Sequence, residues 1–186
     1  MTPGEQLCLA CGLCCDGTLF DSVRLGPDDN AQQLQALGLP VSVSRGKTPI
    51  TFFPQPCAAL CADRTCARYA DRPGQCRSFE CRVFKDAAAG RIDSAAALKL
   101  VKMARRRADN IRRLLRELGD IDEHRSLSDR FRRTQRRLES GHANPAAVDT
   151  YAELSVAVHE FDLLKHAKLY THALAGAEVD DDDTVG

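Results

Sequence analysis

Cysteines are the residues whose number and spacing most clearly allow chemistry in this chain. All nine fall in two stretches, CLACGLCC at residues 8–15 and a segment at residues 57–81, and none follows Cys81. Thiolates select zinc, copper(I) or iron–sulfur centres over hard cations. The density of thiols therefore predicts a metal site.

Three of the N-terminal cysteines, Cys8, Cys11 and Cys14, are spaced as CxxCxxC. In the bacterial ferredoxin motif this spacing lets three sulfurs converge while a fourth ligand comes from elsewhere. A tetrahedral zinc site, formed by one CxxC pair and a distant pair, suits the spacing equally well. Adjacent side chains diverge, so Cys15 is expected to face a second metal or a distant edge of the cluster. The spacing predicts thiolate ligation, with an iron–sulfur cluster (4Fe–4S) favoured and zinc left open.

The surroundings predicted for these thiols are reducing. The chain has no apolar run of about 18 residues that would predict a membrane span. Its N-terminus, MTPGEQLCLACG, lacks the basic and apolar regions of a secretory signal. We therefore expect a cytoplasmic protein, in which disulfides are rare and clustered thiols bind metal. A secreted disulfide scaffold is the alternative, although nine cysteines cannot all pair.

Further residues around the cysteines form a longer motif. CLACGLCC is followed by C–xx–L at Cys57, C–xx–Y at Cys66, then RP and CR–x–F–x–C up to Cys81. Over residues 7–85 this resembles the CxxCxxCC cysteine-cluster family, YkgJ-like bacterial proteins described as zinc- or iron-chelating domains. The resemblance implies eight metal ligands: Cys8, Cys11, Cys14, Cys15, Cys57, Cys66, Cys76 and Cys81. Cys61 lies outside the pattern, and one branch of the family resembles flagellin lysine N-methylases.

Arginines interleave with the second cysteine stretch. Arg64, Arg72, Arg77 and Arg82 are expected to offset the negative charge of a four-thiolate centre. For Arg64 and Arg82, simple solvation of the surface is an equal alternative. Because proline fixes a turn, Arg72-Pro73 is expected to hold Cys66 and Cys76 together.

The pattern predicts an α+β fold in two parts. Residues 1–90 are expected to form a small metal-organised module, with short strands at 18–25, 41–44 and 50–53, a helix at 28–37 and a loop at 57–81. Residues 91–176 are expected to form an annex of two or three antiparallel helices. Its helices are predicted at 94–118, 128–138 and from Asn144-Pro145 to about residue 174. Residues 177–186 are expected to be a disordered acidic tail.

Apolar residues at helical spacing define the faces of the annex. The first helix is expected to bury Val101, Ala104, Ala108, Ile111, Leu115 and Leu118. The second has Phe131 and Leu138 as its core candidates. The last is expected to bury Val148, Tyr151, Leu154, Val158 and Phe161.

Charge is balanced overall but unevenly distributed. Residues 91–140 have a net charge of +7 and residues 141–186 of −7. Because several helices are rich in arginine, nucleic-acid binding is an alternative function. The zero total charge and the absence of Trp argue against it. We expect antiparallel helices to place residues 105–116 within reach of Asp149, Glu153, Glu160 or Asp162.

Three functions stay open at this point. They are a redox or iron–sulfur-dependent enzyme, a structural zinc protein with the annex as docking face, and a protein-modifying enzyme like the methylase branch. No glycine-rich phosphate loop and no GxSxG motif is present, so nucleotide hydrolysis and hydrolase chemistry have no support. The motifs indicate no particular protein partner, substrate or oligomeric state.

Overall fold

This computed structural model describes residues 3–142 and 145–170. Its helices are α1 (Pro3–Cys11), α2 (Ala31–Ala36), α3 (Gly74–Ser78), α4 (Arg82–Ala88), α5 (Ser94–Glu117), α6 (Leu127–Arg137) and α7 (Pro145–Leu164). Its strands are β1 (Ser22–Arg24), β2 (Ser42–Val43) and β3 (Thr51–Pro54). A small sheet together with these helices confirms the predicted α+β class. The proposed N-cap at Asn144 and the acidic tail lie outside the described residues.

The sheet is antiparallel, with strand order β1-β3-β2. The predicted hairpin is confirmed, since Val43 pairs with Thr51 across β2 and β3. β1 adds to the other edge of β3 and is shorter than the predicted strand at 18–25. The reason is a turn before it, in which Asp16 accepts from the Thr18 N–H at 3.0 Å.

Helix α5 is the central element of the annex and matches its prediction. The side chains of Val101, Ala104, Ala108, Ile111 and Leu115 are buried along one face, and that of Leu118 is half-buried. Asp93 begins the helix by accepting from the Ala96 N–H at 2.6 Å. Gly119 ends it with a φ of 85°, a left-handed conformation that glycine adopts without steric cost.

Helix α7 runs antiparallel to α5, as two ion pairs show. Arg107 lies 3.7 Å from Glu160, and Arg113 lies 3.2 Å from Glu153. Part of the basic face of α5 therefore meets acidic residues of α7, as the charge pattern predicted. Exposed pairs of this kind select a helix register more than they add stability.

The predicted apolar face of α7 needs one correction. Leu154 and Phe161 are buried and Tyr151 and Val158 half-buried, but Val148 is 56% exposed. At 3.6 residues per turn, Val148 is rotated by about 120° from Leu154, which carries it off the buried face. After α7, a π-helical turn at Lys165–Leu169 ends the described chain and buries Leu169.

The core prediction for α6 was correct for Phe131, which packs against the core that contains Val101, but it was incomplete. Phe131 and Leu138 are only half-buried, whereas Leu127, Arg130 and Thr134 are buried. Polar residues occupy the inner face because a carboxylate meets them there. The Arg130 Nε lies 3.3 Å from the Asp120 Oδ1.

Two helices that the sequence analysis did not predict join the module to the annex. α1 and α4 both pack on α5. Leu7, Leu13 and Val83 therefore belong to the same buried core as Val101 of α5. No helix of the described residues is long and apolar enough to cross a membrane.

A carboxylate ties the start of β1 to the start of α6. Asp21 accepts hydrogen bonds from Ser126 at 2.5 Å, from Ser128, and from Arg132 at 3.0 Å. Burial acts to raise the pKa of Asp21, but these hydrogen bonds and the Arg132 charge outweigh it and lower the pKa. The stabilisation that Asp21 contributes is therefore fully present at pH values above the ordinary carboxyl pKa. It is lost as the pH falls through the lowered pKa of Asp21.

We expect Asp21→Asn to be less stable than the parent chain at neutral pH. The side chain is 45% exposed, so the loss should be only about 1 kcal/mol after solvent screening. The difference should narrow as the pH falls below about 3.9, the ordinary pKa of aspartate. Urea unfolding of both proteins across acidic pH checks this, and a constant difference would contradict it. The two proteins share all thiols, so acid effects on those cancel.

Candidate metal centre

Eight cysteines line one cavity of about 120 Å³. They are the eight that the family pattern singled out: Cys8, Cys11, Cys14, Cys15, Cys57, Cys66, Cys76 and Cys81. Cys61, the ninth, does not line it. All nine are free thiols. The structure thus gathers the predicted site residues in one place, and their role as ligands stays a prediction.

The N-terminal stretch reaches the cavity through a helix and a turn. Cys8 and Cys11 lie on α1, and Gly12 ends that helix with a φ of 69°. The Cys15 N–H then donates to the Gly12 carbonyl at 3.0 Å, which closes the turn that carries Cys14. A Cβ on Gly12 would come within 3.2 Å of the Arg64 side chain, so glycine suits this turn both sterically and conformationally.

The second stretch is tied to the first by the backbone. The Cys57 N–H donates to the Cys15 carbonyl at 2.7 Å. Cys76 lies on α3, so the predicted loop at residues 57–81 contains a short helix, which is a correction. Cys81 begins α4, where its sulfur accepts from the Phe84 N–H at 3.4 Å. A thiol thus serves as the N-cap, a position whose sequence preference is for Ser, Thr, Asp or Asn.

Cys8, Cys11, Cys14 and Cys81 act on one another's pKa values, which indicates that they lie near each other, and we call these four the first thiol group. Burial raises the pKa of Cys8 to about 11, and the nearby Cys81 adds to the rise. Burial also raises the pKa of Cys11 to about 12, with Cys81 and Cys8 contributing. The fully buried Cys14 has its pKa raised well above the usual range by desolvation, then by Cys11 and Cys81, and to a smaller extent by the adjacent Cys15 and by Cys8.

The other four, Cys15, Cys57, Cys66 and Cys76, form the second thiol group. Burial raises the pKa of Cys15, and Cys57, Cys76 and Cys66 add to the rise. Burial likewise raises the pKa of Cys76 to about 12, with Cys57 and Cys66 contributing. The vicinal Cys14 and Cys15 therefore belong to different groups, as expected of side chains that diverge.

The hydrophobic packing shows the same division. Cys11, Cys14 and Cys81 pack against the core formed by the helices. Cys57, Cys66 and Cys76 pack against the separate core beneath the sheet. Three thiols of each group are thus attached to a different part of the fold, while Cys8 and Cys15 belong to neither core.

Metal binding at this site would need the thiols to rearrange. Within residues 3–142 and 145–170, no group of three or more His, Cys, Asp or Glu side chains is arranged so that it could hold a metal ion. Buried neutral thiols have no charge that draws them toward a common point. Ligation requires them to lose their protons, and metal binding then supplies the free energy that orders the site.

One polar atom in the cavity lacks a partner. The Oε1 of Gln55 is the single buried side-chain oxygen or nitrogen of the described residues without a hydrogen bond. Gln55 is 3% exposed and lines the same cavity as the eight thiols. The oxygen and nitrogen of an amide are assigned from their partners, so this side chain is equally suited to turn its NH₂ toward a thiolate. The donor set and the unpaired amide both fit a polar, thiolate-bound group.

Arg72 is a cation that acts on both thiol groups. Its charge opposes the rise in the pKa of Cys8 in one group and of Cys76 in the other. Its guanidinium carbon lies 3.6 Å from the centre of the Tyr69 ring, and its Nε donates to the Tyr69 carbonyl at 2.9 Å. Stacking and this hydrogen bond fix the charge beside the cavity.

The other three arginines of this stretch have different partners. Arg64 pairs with Asp16, and its Nε donates to the Cys11 carbonyl at 3.1 Å. Arg77 donates to the Arg72 carbonyl at 2.6 Å. Arg82 donates to the Ala167 carbonyl at 3.3 Å. Arg77 and Arg82 therefore hold backbone segments in place.

Asp29 positions the helix that carries Cys76. Its side chain is 5% exposed, and its carboxylate accepts from the Gly74 N–H at 2.7 Å and from the Gly26 N–H at 2.8 Å. The sequence analysis gave Asp29 no such role, because its partner is 45 residues away along the chain. The residue fixes the start of α3 and with it the direction of the Cys76 side chain.

We expect Asp29→Ala to weaken metal binding by the second thiol group. Loss of a residue that supports a metal ligand usually lowers metal affinity by about 10–100-fold. Because Asp29 bonds to the backbone near Cys76 and not to its sulfur, we expect a decrease of about tenfold. Competition against a chelator at fixed metal concentration measures the affinity. Asp28→Ala, at an exposed neighbour, is the matched control. An equal effect of the two substitutions would remove Asp29 from this role.

Comparison of the chain with protein-family models, with curated proteins and with solved structures finds no match. The resemblance to the CxxCxxCC proteins therefore stands on the cysteine motif itself.

Proposed function

We propose that this chain is a metal-binding protein in which eight cysteines hold iron–sulfur centres in two groups of four. The observation that supports the proposal most strongly is which thiols line the cavity. Eight thiols line it in two groups, and the ninth, Cys61, does not. The first thiol group combines CxxCxxC with the remote Cys81, which is the ligand pattern of a cubane cluster.

The cavity is also larger than a single ion requires. Its volume of about 120 Å³ is well above the roughly 10–15 Å³ that a cavity needs to hold one water molecule. That space, between two sets of thiols, supports a multi-atom centre or two separate centres. Arg72 supplies positive charge where the thiolates of either set would concentrate negative charge. We place this function in the cytosol, since a reducing compartment keeps clustered thiols free.

Zinc in the same two groups is the second candidate. Four thiolates and no open position are typical of structural zinc sites, and each thiol group supplies four sulfurs. In that case the protein would be a structural or interaction protein that uses the helical annex as a docking face. No open ligand position and no substrate site are needed for this function.

Metal analysis after anaerobic purification tests the proposal. An iron–sulfur protein should be brown and contain about four iron and four sulfide ions for each filled cubane. A colourless protein with about two zinc ions would support the second candidate. A protein with neither metal, which takes up neither on reconstitution, would overturn both.

A further inference from the structure

A second cavity, which we call the arginine cavity, lies where the cysteine module meets the annex. Its volume is about 240 Å³, and it is more polar than the cysteine cavity. Four arginines line it: Arg64, Arg112, Arg125 and Arg130. They come from the cysteine stretch, from α5, from the loop that follows α5 and from α6, so the fold brings them together from separate parts of the chain.

Ion pairs hold each guanidinium in place. Arg64 and Arg112 both contact Asp16, whose side chain is 9% exposed. The Arg125 Nε lies 2.7 Å from the Asp122 carboxylate, and Arg130 is paired with Asp120. Fixed donors lose little conformational entropy when a ligand binds, so such an arrangement is preorganised.

Each of the four guanidiniums keeps one nitrogen without a partner among the described residues. These are the Nη1 of Arg64, the Nε of Arg112, the Nη2 of Arg125 and the Nη1 of Arg130. None of these four nitrogens is both fully buried and without a hydrogen bond. Among the described residues, the Gln55 Oε1 is the single side-chain oxygen or nitrogen for which both are true. Each of these nitrogens therefore has some accessible surface, and all four belong to residues that line the cavity.

The guanidinium groups and the size of the cavity limit what that ligand can be. The lining has four arginines and three acidic residues, Asp16, Asp109 and Glu123. Asp120, Asp122 and Asp129 do not line the cavity but pair with Arg130 and Arg125, so recognition of an anion would rest on the free N–H groups and not on an excess of positive charge. Guanidinium groups match the planar or tetrahedral oxygens of carboxylates and phosphates. The cavity is smaller than the roughly 300–1,000 Å³ of sites for drug-sized molecules, which favours a small ligand.

We propose that the arginine cavity binds a small molecule that carries a phosphate or carboxylate group, held by the free N–H groups of these four arginines. The bound anion would lie beside the thiols, since Arg64 lines both cavities and donates to the Cys11 carbonyl. This site is distinct from the metal centre, and its existence does not depend on which metal the thiols bind.

Titration calorimetry on the full chain, purified with the metal that it retains, tests the proposal. Inorganic phosphate and succinate are the two probes, and potassium chloride at matched ionic strength is the reference. We expect saturable binding of at least one probe in the millimolar range or tighter. The stronger probe tells whether phosphate or carboxylate is preferred.

Two arginine variants separate a site from general charge attraction. Arg125→Gln should weaken binding about tenfold or more, since a charge-assisted hydrogen bond is lost. Arg113→Gln is the matched control, because Arg113 is as exposed as Arg125, at 47% against 46%, and lies outside the cavity. Equal weakening by both variants, or no saturation beyond the chloride reference, would overturn the proposal. Unchanged metal content in either case would leave the proposed metal centre untouched.

Discussion

Cys14→Ser is expected to lose the metal of the first thiol group and to keep that of the second. Cys76→Ser should do the reverse, because the two cysteines lie in different groups and pack against different cores. The loss of stability should be large. Metal binding contributes about 10–16 kcal/mol in small zinc-organised domains, where binding free energy is folding free energy. Metal content per chain, with thermal unfolding of the same samples, measures both effects.

Cys61→Ser is the matched control for these two variants. Cys61 does not line the cavity, so its substitution should leave metal content and stability unchanged. Equal loss of metal in all three variants would contradict the assignment of Cys61 as the spare thiol. Complete loss of metal in Cys14→Ser and also in Cys76→Ser would instead indicate one shared centre, and the division into two groups would be wrong.

The long helix of the annex was predictable because one face of it is continuous. Residues from Val101 to Leu115 repeat at helical spacing, and a nearby Asp and Gly begin and end the helix. The hairpin was equally local, since alternation and a short turn determine it. In each case the information needed lies within about 25 residues of sequence.

The local pattern could not predict α1 and α4 or the division of the thiols. α1 contains two cavity-lining cysteines, and its stability depends on packing against α4 and α5. The grouping of Cys8 with Cys81 and of Cys15 with Cys57 depends on contacts between distant segments. Spacing did indicate that Cys14 and Cys15 diverge, but it did not say which distant cysteines each would meet.

Helix α6 also shows that local sequence patterns do not predict contacts between distant residues. Apolar residues were expected to face the core, and a charged residue is buried there more deeply than Phe131 or Leu138. Arg130 is 2% exposed and bonds both to the Asp120 carboxylate and, at 3.1 Å, to the Asp120 carbonyl. Thr134 contacts the same carboxylate. The partner lies in the loop after α5, where the sequence gives no sign that an arginine will be buried.

Arg130→Ala is therefore expected to lower the free energy of unfolding by about 3–5 kcal/mol, because it leaves a carboxylate without its cation. The side chain of Asp120 is only 9% exposed, so water cannot fully replace the guanidinium. Replacing both partners, as Arg130→Met with Asp120→Leu, should recover most of the loss, since a buried pair exchanged for apolar side chains is often neutral. Urea unfolding followed by circular dichroism measures all of these values.

Arg133→Ala provides the matched control for this pair. Arg133 lies on the same helix, is 46% exposed and is 3.6 Å from Asp122. Its loss should cost no more than about 1 kcal/mol, the range of exposed ion pairs. Should Arg130→Ala cost as little as Arg133→Ala, the Arg130–Asp120 pair would not hold α6 against the rest of the annex. The half-buried Phe131 and Leu138 would then be the residues that do.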